Sequence, residues 1–151
     1  MIKSCRSIVI AGEQFRAILK LAEIAYPEEC CGLLSGDQKD GVLRIDNFHA
    51  SDNFAEDRFR RFEVDPSLHL RLQRALRGTA RRIVGVYHSH PNGTTQPSPI
   101  DIEAAWEVDF VWVIISVRDG QALQCAAHTF INNVREMRFM EVPFNIVDSA
   151  L

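Results

Sequence analysis

Long apolar runs are missing from this sequence. No stretch approaches the roughly 18 consecutive apolar residues of a membrane-spanning helix, and Met1-Ile2-Lys3-Ser4-Cys5-Arg6-Ser7 leads into only a short one. Neither a membrane protein nor a secretory leader is expected. Cysteine is scarce as well: there are four, two of them adjacent at Cys30 and Cys31. That pattern does not resemble the disulfide framework of a secreted domain, so a reducing cytoplasm is the expected location. An excess of positive charge is also absent. The formal net charge is −3, which argues against a general binder of nucleic acid or of anionic membranes. What is left, 151 residues that are 46% apolar and 25% charged, fits one globular domain over residues 1–151 with a sizeable core.

Two histidines, a hydroxyl and a carboxylate gather in Tyr87-His88-Ser89-His90-Pro91-Asn92-Gly93-Thr94-Thr95-Gln96-Pro97-Ser98-Pro99-Ile100-Asp101. The β-branched run Arg82-Ile83-Val84-Gly85-Val86-Tyr87 before it reads as a strand buried on both faces. If His88 and His90 continue that strand, both imidazoles face the same way and Ser89 faces the other. Pro91 stops the ladder and Asn92-Gly93 turns the chain. Ser98 then reads as a helix cap, Pro99 as the first helical residue and Asp101 as an acid in the first turn. Taken singly these parts are ordinary, since Ser-x-x-Asp before an apolar helix is close to a capping box and a strand His-x-His is often structural. Together they bring two imidazoles and one carboxylate to one edge of a sheet. That donor set suits zinc and leaves a fourth position open for water, as in catalytic sites.

Such a site needs a base, and Tyr26-Pro27-Glu28-Glu29-Cys30-Cys31-Gly32 offers one upstream. Pro-x-Glu-x-Cys-Gly, then His-x-His-Pro, then Ser-x-x-Asp with seven residues between His90 and Ser98, resembles the JAMM (MPN-plus) metallopeptidases, in particular their small single-domain prokaryotic members. The resemblance covers nearly the whole chain. It implies an α/β fold of the cytidine-deaminase-like MPN/JAB type, a mixed curved sheet flanked by about three helices. It implies one Zn²⁺ per chain held by His88, His90 and Asp101, with Glu29 as the base that deprotonates the zinc water and Ser98 as a stabiliser of the oxyanion. It further implies hydrolysis of a peptide or isopeptide bond at the C-terminal tail of a ubiquitin-like or sulfur-carrier protein of the ThiS or MoaD kind, held by strand addition in a narrow groove.

Periodicity supplies the rest of the expected architecture. Ser7-Ile8-Val9-Ile10 reads as a strand, and Gly12 to Ala25 as a helix with Phe15, Ile18, Leu19, Leu21, Ala22 and Ala25 on its core face. Cys31 to Gly36 and Val42 to Phe48 read as a hairpin about Asp37-Gln38-Lys39-Asp40-Gly41. Cys31 would neighbour the metal pocket if the strand already begins at Glu29, or would simply be a small buried strand residue. Residues Ala50 to Arg61 read as a surface loop, Phe59 to Val64 as a strand, and Asp65-Pro66 as the start of a helix to about Arg77 with Leu68, Leu72 and Leu76 inward. Eight of the fourteen arginines fall between Arg58 and Arg82, either as a solvated face or as a dock for an acidic partner. A helix from Ser98 to about Val108, a central strand from Phe110 to Val117, and strands Leu123–Phe130 and Met137–Val142 complete the chain. His128, far along the sequence from the motif, reads as an ordinary strand histidine.

Two rival readings belong to other classes. RadC-type proteins associated with nucleic acid share a similar His-x-His-Pro turn and Ser-x-x-Asp, but usually carry an additional N-terminal segment. The zinc deaminases need His-x-Glu and Pro-Cys-x-x-Cys, neither of which is present. The remaining rival is a module that keeps the fold, binds a partner and performs no chemistry.

Overall fold

The computed structural model describes residues 5–105 and 110–148. Eight strands form one mixed sheet in the order β7-β6-β5-β4-β2-β3-β1-β8. In chain order the elements are β1 (Ser7–Ala11), α1 (Gly12–Ala25), β2 (Cys31–Lys39), β3 (Val42–Ser51), α2 (Pro66–Leu76), β4 (Arg82–His90), α3 (Pro99–Ala105), β5 (Val111–Arg118), β6 (Gln121–Asn132), β7 (Met137–Val142) and β8 (Phe144–Val147). Strands β4 and β5 run parallel while β2 and β4 run antiparallel.

The sheet is covered on both faces, as the apolar β4 and β5 require. Helix α1 lays Phe15, Ile18 and Ala22 on the larger core, which also takes Tyr87 of β4 and Val113 and Ile115 of β5. On the other face Leu72 of α2 packs with Leu33 and Ile83, and Ala105 of α3 packs with Val86 and Trp112. Val84 is an extra residue opposite β2, since Leu34 pairs Gly85 whereas Ser35 pairs Ile83. This bulge shifts the alternation. Val84 joins the α1 side, and Val86, with His88 and His90 beyond it in period two, faces the side of α2 and α3.

The hairpin is tighter than the sequence suggests. Asp37 to Lys39 stay in β2, and the turn is only Asp40-Gly41, with φ of 53° and 80°. Two successive positive φ values make a two-residue turn that follows the strand twist. Asp65 caps α2 by accepting from Ser67 N at 2.9 Å, with Pro66 in the first turn. The last residues expected in the third helix, 106–108, lie outside the described residues.

Two expectations are corrected. Phe59 to Val64 is not a strand: only Val64 touches the ladder, through an isolated bridge to Asn53. Asn53 Oδ1 accepts from the amides of Ala55 and Glu63, and Asp57 Oδ1 accepts from that of Phe59. Short polar side chains thus capture backbone donors that a strand would need for its ladder. The second correction is β8. Only Pro143 separates β7 from Phe144 to Val147, which pair in parallel with β1, so the sheet curls until its two edge strands are consecutive in the chain; four residues are too short a run to register as a separate element.

Candidate metal centre

The β4 strand carries His88 and His90 to its C-terminal end with both rings on the α2/α3 face, 0% and 3% exposed. The loop after Pro91 closes with Gly93 N donating to the His90 carbonyl at 3.2 Å, and Gly93 takes a φ of 80°. Ser98 then caps α3. Its Oγ accepts from Asp101 N at 3.0 Å while Asp101 Oδ2 accepts from Ser98 N at 2.8 Å, the reciprocal bonds of a capping box. The same Oδ2 lies 3.2 Å from His88 Nε2 and 3.1 Å from His90 Nε2, and the two Nε2 atoms are 2.9 Å apart.

Three donor atoms therefore form a triangle of about 3 Å on a side, buried, within reach of one ion. Ligand atoms at roughly 2.0 to 2.1 Å from a tetrahedral ion stand about 3.3 Å apart, so the triangle has the size of one face of such a shell. The donor types suit zinc, and among the described residues the ion-pair partners of Asp101 are His88 and His90. Ring orientation is set from outside the triangle. His90 Nδ1 meets the Thr94 carbonyl at 3.2 Å, the bond that fixes a ligating tautomer. Phe62 stacks on His88 at 4.3 Å and Trp112 stands edge-on to it at 5.6 Å. His88 Nδ1 and Trp112 Nε1 have no hydrogen-bond partner among the described residues.

Glu29 reaches this face from the start of β2. Its amide donates to the Arg58 carbonyl at 2.7 Å, and its carbonyl accepts from Asn53 Nδ2 at 3.0 Å. Next to it, Ser89 turns to the opposite side from the two imidazoles: Ser89 Oγ accepts from Cys30 N at 2.8 Å. The carboxyl is 5% exposed and its Oε1 has no partner among the described residues. Burial, with repulsion from Asp101 and Asp57 added, pushes its pKa up to about 8. Asp101 goes the other way. Although burial works against its charge, hydrogen bonds from His88 and His90 hold its pKa well below the usual range. Two carboxylates a few residues' width apart are thus driven in opposite directions, an arrangement typical of acid-base sites.

The sequence places Glu29, His88, His90, Ser98 and Asp101 together, and the structure brings His88, His90, Asp101 and Ser98 into direct contact with Glu29 near enough to Asp101 to feel its charge. Cys31 pairs with His88 in the ladder and is 1% exposed, its thiol against the Asp52 carbonyl. It is a small buried strand residue beside the pocket, and burial raises its pKa to about 12. Three of the eight arginines of the segment form ion pairs, Arg58 with Glu28, Arg60 with Asp57 and Arg81 with Asp46. His128 is the larger surprise. Its Nε2 is 2.9 Å from the Thr95 carbonyl, so it touches the loop of the motif it was expected to stand away from. Phe62, Trp112 and Asn53 were not anticipated either. Phe62 is one of three phenylalanines between Ala50 and Val64, and no spacing singles it out.

A groove of about 720 Å³ opens beside the site between the loop and α3, lined by Asp57, Arg61, Phe62, Ile100 and Glu103 among others.

The family model described as prokaryotic homologs of the JAB domain matches residues 12–130. The chain belongs to the prokaryotic JAB family. Its match spans every residue of the centre just described. A CysO-cysteine peptidase of Mycobacterium tuberculosis is 26% identical over 145 residues, covering 93% of this chain and 92% of the relative. A desampylase of Haloferax volcanii is 32% identical over 90 residues, covering 60% of this chain and 63% of the relative. Among solved structures, a protein of Salinibacter ruber has a TM-score of 0.65 at 32% identity, covering 89% of this chain and 90% of that one. Another, from Desulfitobacterium hafniense, reaches 0.75 at 22% identity over 93% and 94% of the two chains, a likeness of fold. Most of these relatives carry the name of a peptidase, a protease or a desampylase, and one, of Escherichia phage N15, that of a tail tip assembly protein. No helix among the described residues is long and apolar enough to cross a membrane.

Proposed function

We propose that this chain is a zinc-dependent JAMM-type peptidase that cleaves a peptide or isopeptide bond at the C-terminal tail of a ubiquitin-like or sulfur-carrier protein. The observation that carries the reading is the buried, unpartnered Oε1 of Glu29 beside the triangle of His88, His90 and Asp101. Those three side chains would hold the zinc, which would supply a Lewis acid for the scissile carbonyl and draw the pKa of water towards about 7. Glu29, its carboxylate favoured by the positive charge of an ion so held, takes the proton of the attacking water at Oε1 and delivers it to the leaving nitrogen. Ser98 accepts the Asp101 amide through an Oγ lone pair, which leaves the hydroxyl hydrogen to donate to the oxyanion. Phe62 and Trp112 exclude water from the side of His88.

The substrate class follows from the relatives, whose names include a CysO-cysteine peptidase and a probable TtuB-protein conjugate cleaving protease of Thermus thermophilus. A flexible protein tail is the kind of chain that the groove between the loop and α3 admits. The four cysteines are free, which suits a single domain working in a reducing cytoplasm. The test is to incubate the zinc-loaded protein with the small ubiquitin-like and sulfur-carrier proteins of its own genome, each carrying a C-terminal extension or a lysine conjugate. Release of the trimmed protein by mass is expected; intact substrates in every case would overturn the reading.

A further inference from the structure

His128 lies on β6, 2% exposed, with Trp112 of β5 as its cross-strand partner. Directly opposed residues share a face, so His128 looks towards the same side as Trp112 and, through it, His88. Phe139 of β7 stands edge-on to its ring at 6.1 Å. Thus held, its Nε2 meets the Thr95 carbonyl at 2.9 Å. Thr95 is in the middle of the seven residues between His90 and Ser98. The loop's amides at Thr94 and Gln96 bond within the loop, to Asn92 Oδ1 and Thr94 Oγ1. His128 therefore ties it to another strand.

What the tie holds is specific. On one side of it the Thr94 carbonyl meets His90 Nδ1 at 3.2 Å, setting that ring. On the other, Ser98 exchanges hydrogen bonds with Asp101 and delivers its carboxylate to the triangle. We propose that His128 is a positioning residue: by donating from Nε2 to the Thr95 carbonyl it fixes the loop that orients His90 and presents Asp101, so that zinc affinity depends on a side chain outside the ligand set. The inference rests on the zinc reading of the centre.

The test compares wild type with His128→Phe, which fills the space without a donor, and His128→Gln, whose amide nitrogen stands close to the place of Nε2. Zinc affinity is read by chelator competition, and amide exchange at Gln96 and Ser98 is read on the metal-free proteins. His128→Phe is expected to bind zinc about tenfold or more weakly, the lower end of losses for residues supporting metal ligands, and to exchange faster at both amides. Protection in β5 and β6 should stay unchanged. His128→Gln should recover most of both. Wild-type affinity in His128→Phe overturns the proposal, as does an equal loss in Phe and Gln variants accompanied by an equal drop in melting temperature, which would mean packing alone. If His128→Phe does not fold, His128→Asn, too short to reach the carbonyl, takes its place with the same two outcomes. Should wild type bind no zinc, the reading of the centre fails. The exchange data then still decide the loop: unchanged rates in the donor-free variant overturn the tie, and faster rates support it.

Discussion

Two polar clusters built from similar residues occupy neighbouring strands, and they differ in where their positive charge comes from. Midway along β2 and β3, Arg81 donates from Nε to Asp46 at 2.9 Å and from its terminal nitrogen to Ser35 Oγ at 3.2 Å, while Ser35 Oγ meets His49 Nε2 at 2.8 Å. A serine, a histidine and an aspartate are all present, yet the chain itself provides the cation. The hydrogen bonds close, and Ser35 is fully buried. At the end of β4, His88, His90 and Asp101 converge with no arginine or lysine among them, and Glu29 brings a further carboxyl with an unmatched oxygen. The first cluster is complete as protein. The second is compatible with a cation from outside, and that difference separates a structural network from a candidate site better than residue type does.

The sharpest way to break the comparison is to remove one member from each cluster. His88→Ala or Asp101→Ala should lose most of the one equivalent of zinc expected in wild type, and activity with it. Arg81→Met should keep both and lose only about 1 kcal/mol of stability, as for a partly exposed ion pair. Elemental analysis and a melting curve on the same samples decide it: full zinc in both ligand variants would sink the assignment.

Next in size is Glu29→Gln. It removes the proton carrier and leaves the triangle alone, so zinc should remain while turnover falls by roughly two to four decades. Glu28, paired with Arg58 on the surface, is the control, and Glu28→Gln should turn over normally. A dead Glu28 variant beside a live Glu29 variant would put the base one residue earlier. Ser98→Ala comes third, with about 1 kcal/mol from the lost cap and on the order of a hundredfold in rate. Ser98→Asp can cap but, ionised, cannot donate, so it should recover the melting temperature and stay slow, provided that zinc content is unchanged. A Ser98→Ala protein that melts early yet turns over normally would leave the residue as a cap only.

How much of this was legible in the sequence follows the range over which each feature is set. The triangle comes from a local stretch: period two puts His88 and His90 on one face, and Ser98, Pro99 and Asp101 announce a capped helix. Helices α1 and α2 were readable from apolar spacing and from Asp65-Pro66. The errors lie where distant side chains decide. Phe59 to Val64 has strand propensity, but Asn53 and Asp57 take its amides. The bulge at Val84, which puts Val86 and Ile83 on one face, depends on pairing with β2. His128 is 33 residues from Thr95, and only the folded sheet, with β5 between β4 and β6, brings it over the motif. Phe62 likewise reaches His88 across a turn that no periodicity marks.

The smallest predicted effect reads the candidate metal centre through protons. In metal-free protein Glu29 holds its proton to about 8 instead of 4.5, because burial and the neighbouring carboxylates disfavour its charge. Between those values the folded state binds a proton that the unfolded chain has released, so raising pH draws the equilibrium towards unfolding. The contribution is whole below 4.5 and lost as pH climbs through about 8, with a slope of at most about 1.4 kcal/mol per pH unit for one proton. The histidines oppose it. His49, His88 and His128 have pKa values lowered by burial, so the unfolded state takes the extra protons below 6.5 and stability rises with pH up to that point. Asp101, held low, matters only near and below 3.8. These terms are common to wild type and Glu29→Gln, and subtracting one unfolding free energy from the other leaves Glu29 alone. Wild type should lose ground to Glu29→Gln steadily from pH 5 to 8 and hold level above. With zinc present the difference should flatten, because the ion's charge offsets the repulsion that kept the carboxyl protonated. The cluster of Ser35, His49, Asp46 and Arg81, which carries its own cation, gives the contrast: zinc should leave the pH profile of an Arg81→Met pair untouched. Parallel curves for wild type and Glu29→Gln in the metal-free state would mean that Glu29 is ionised and solvated there, and the two clusters would no longer differ in the way their charges are met.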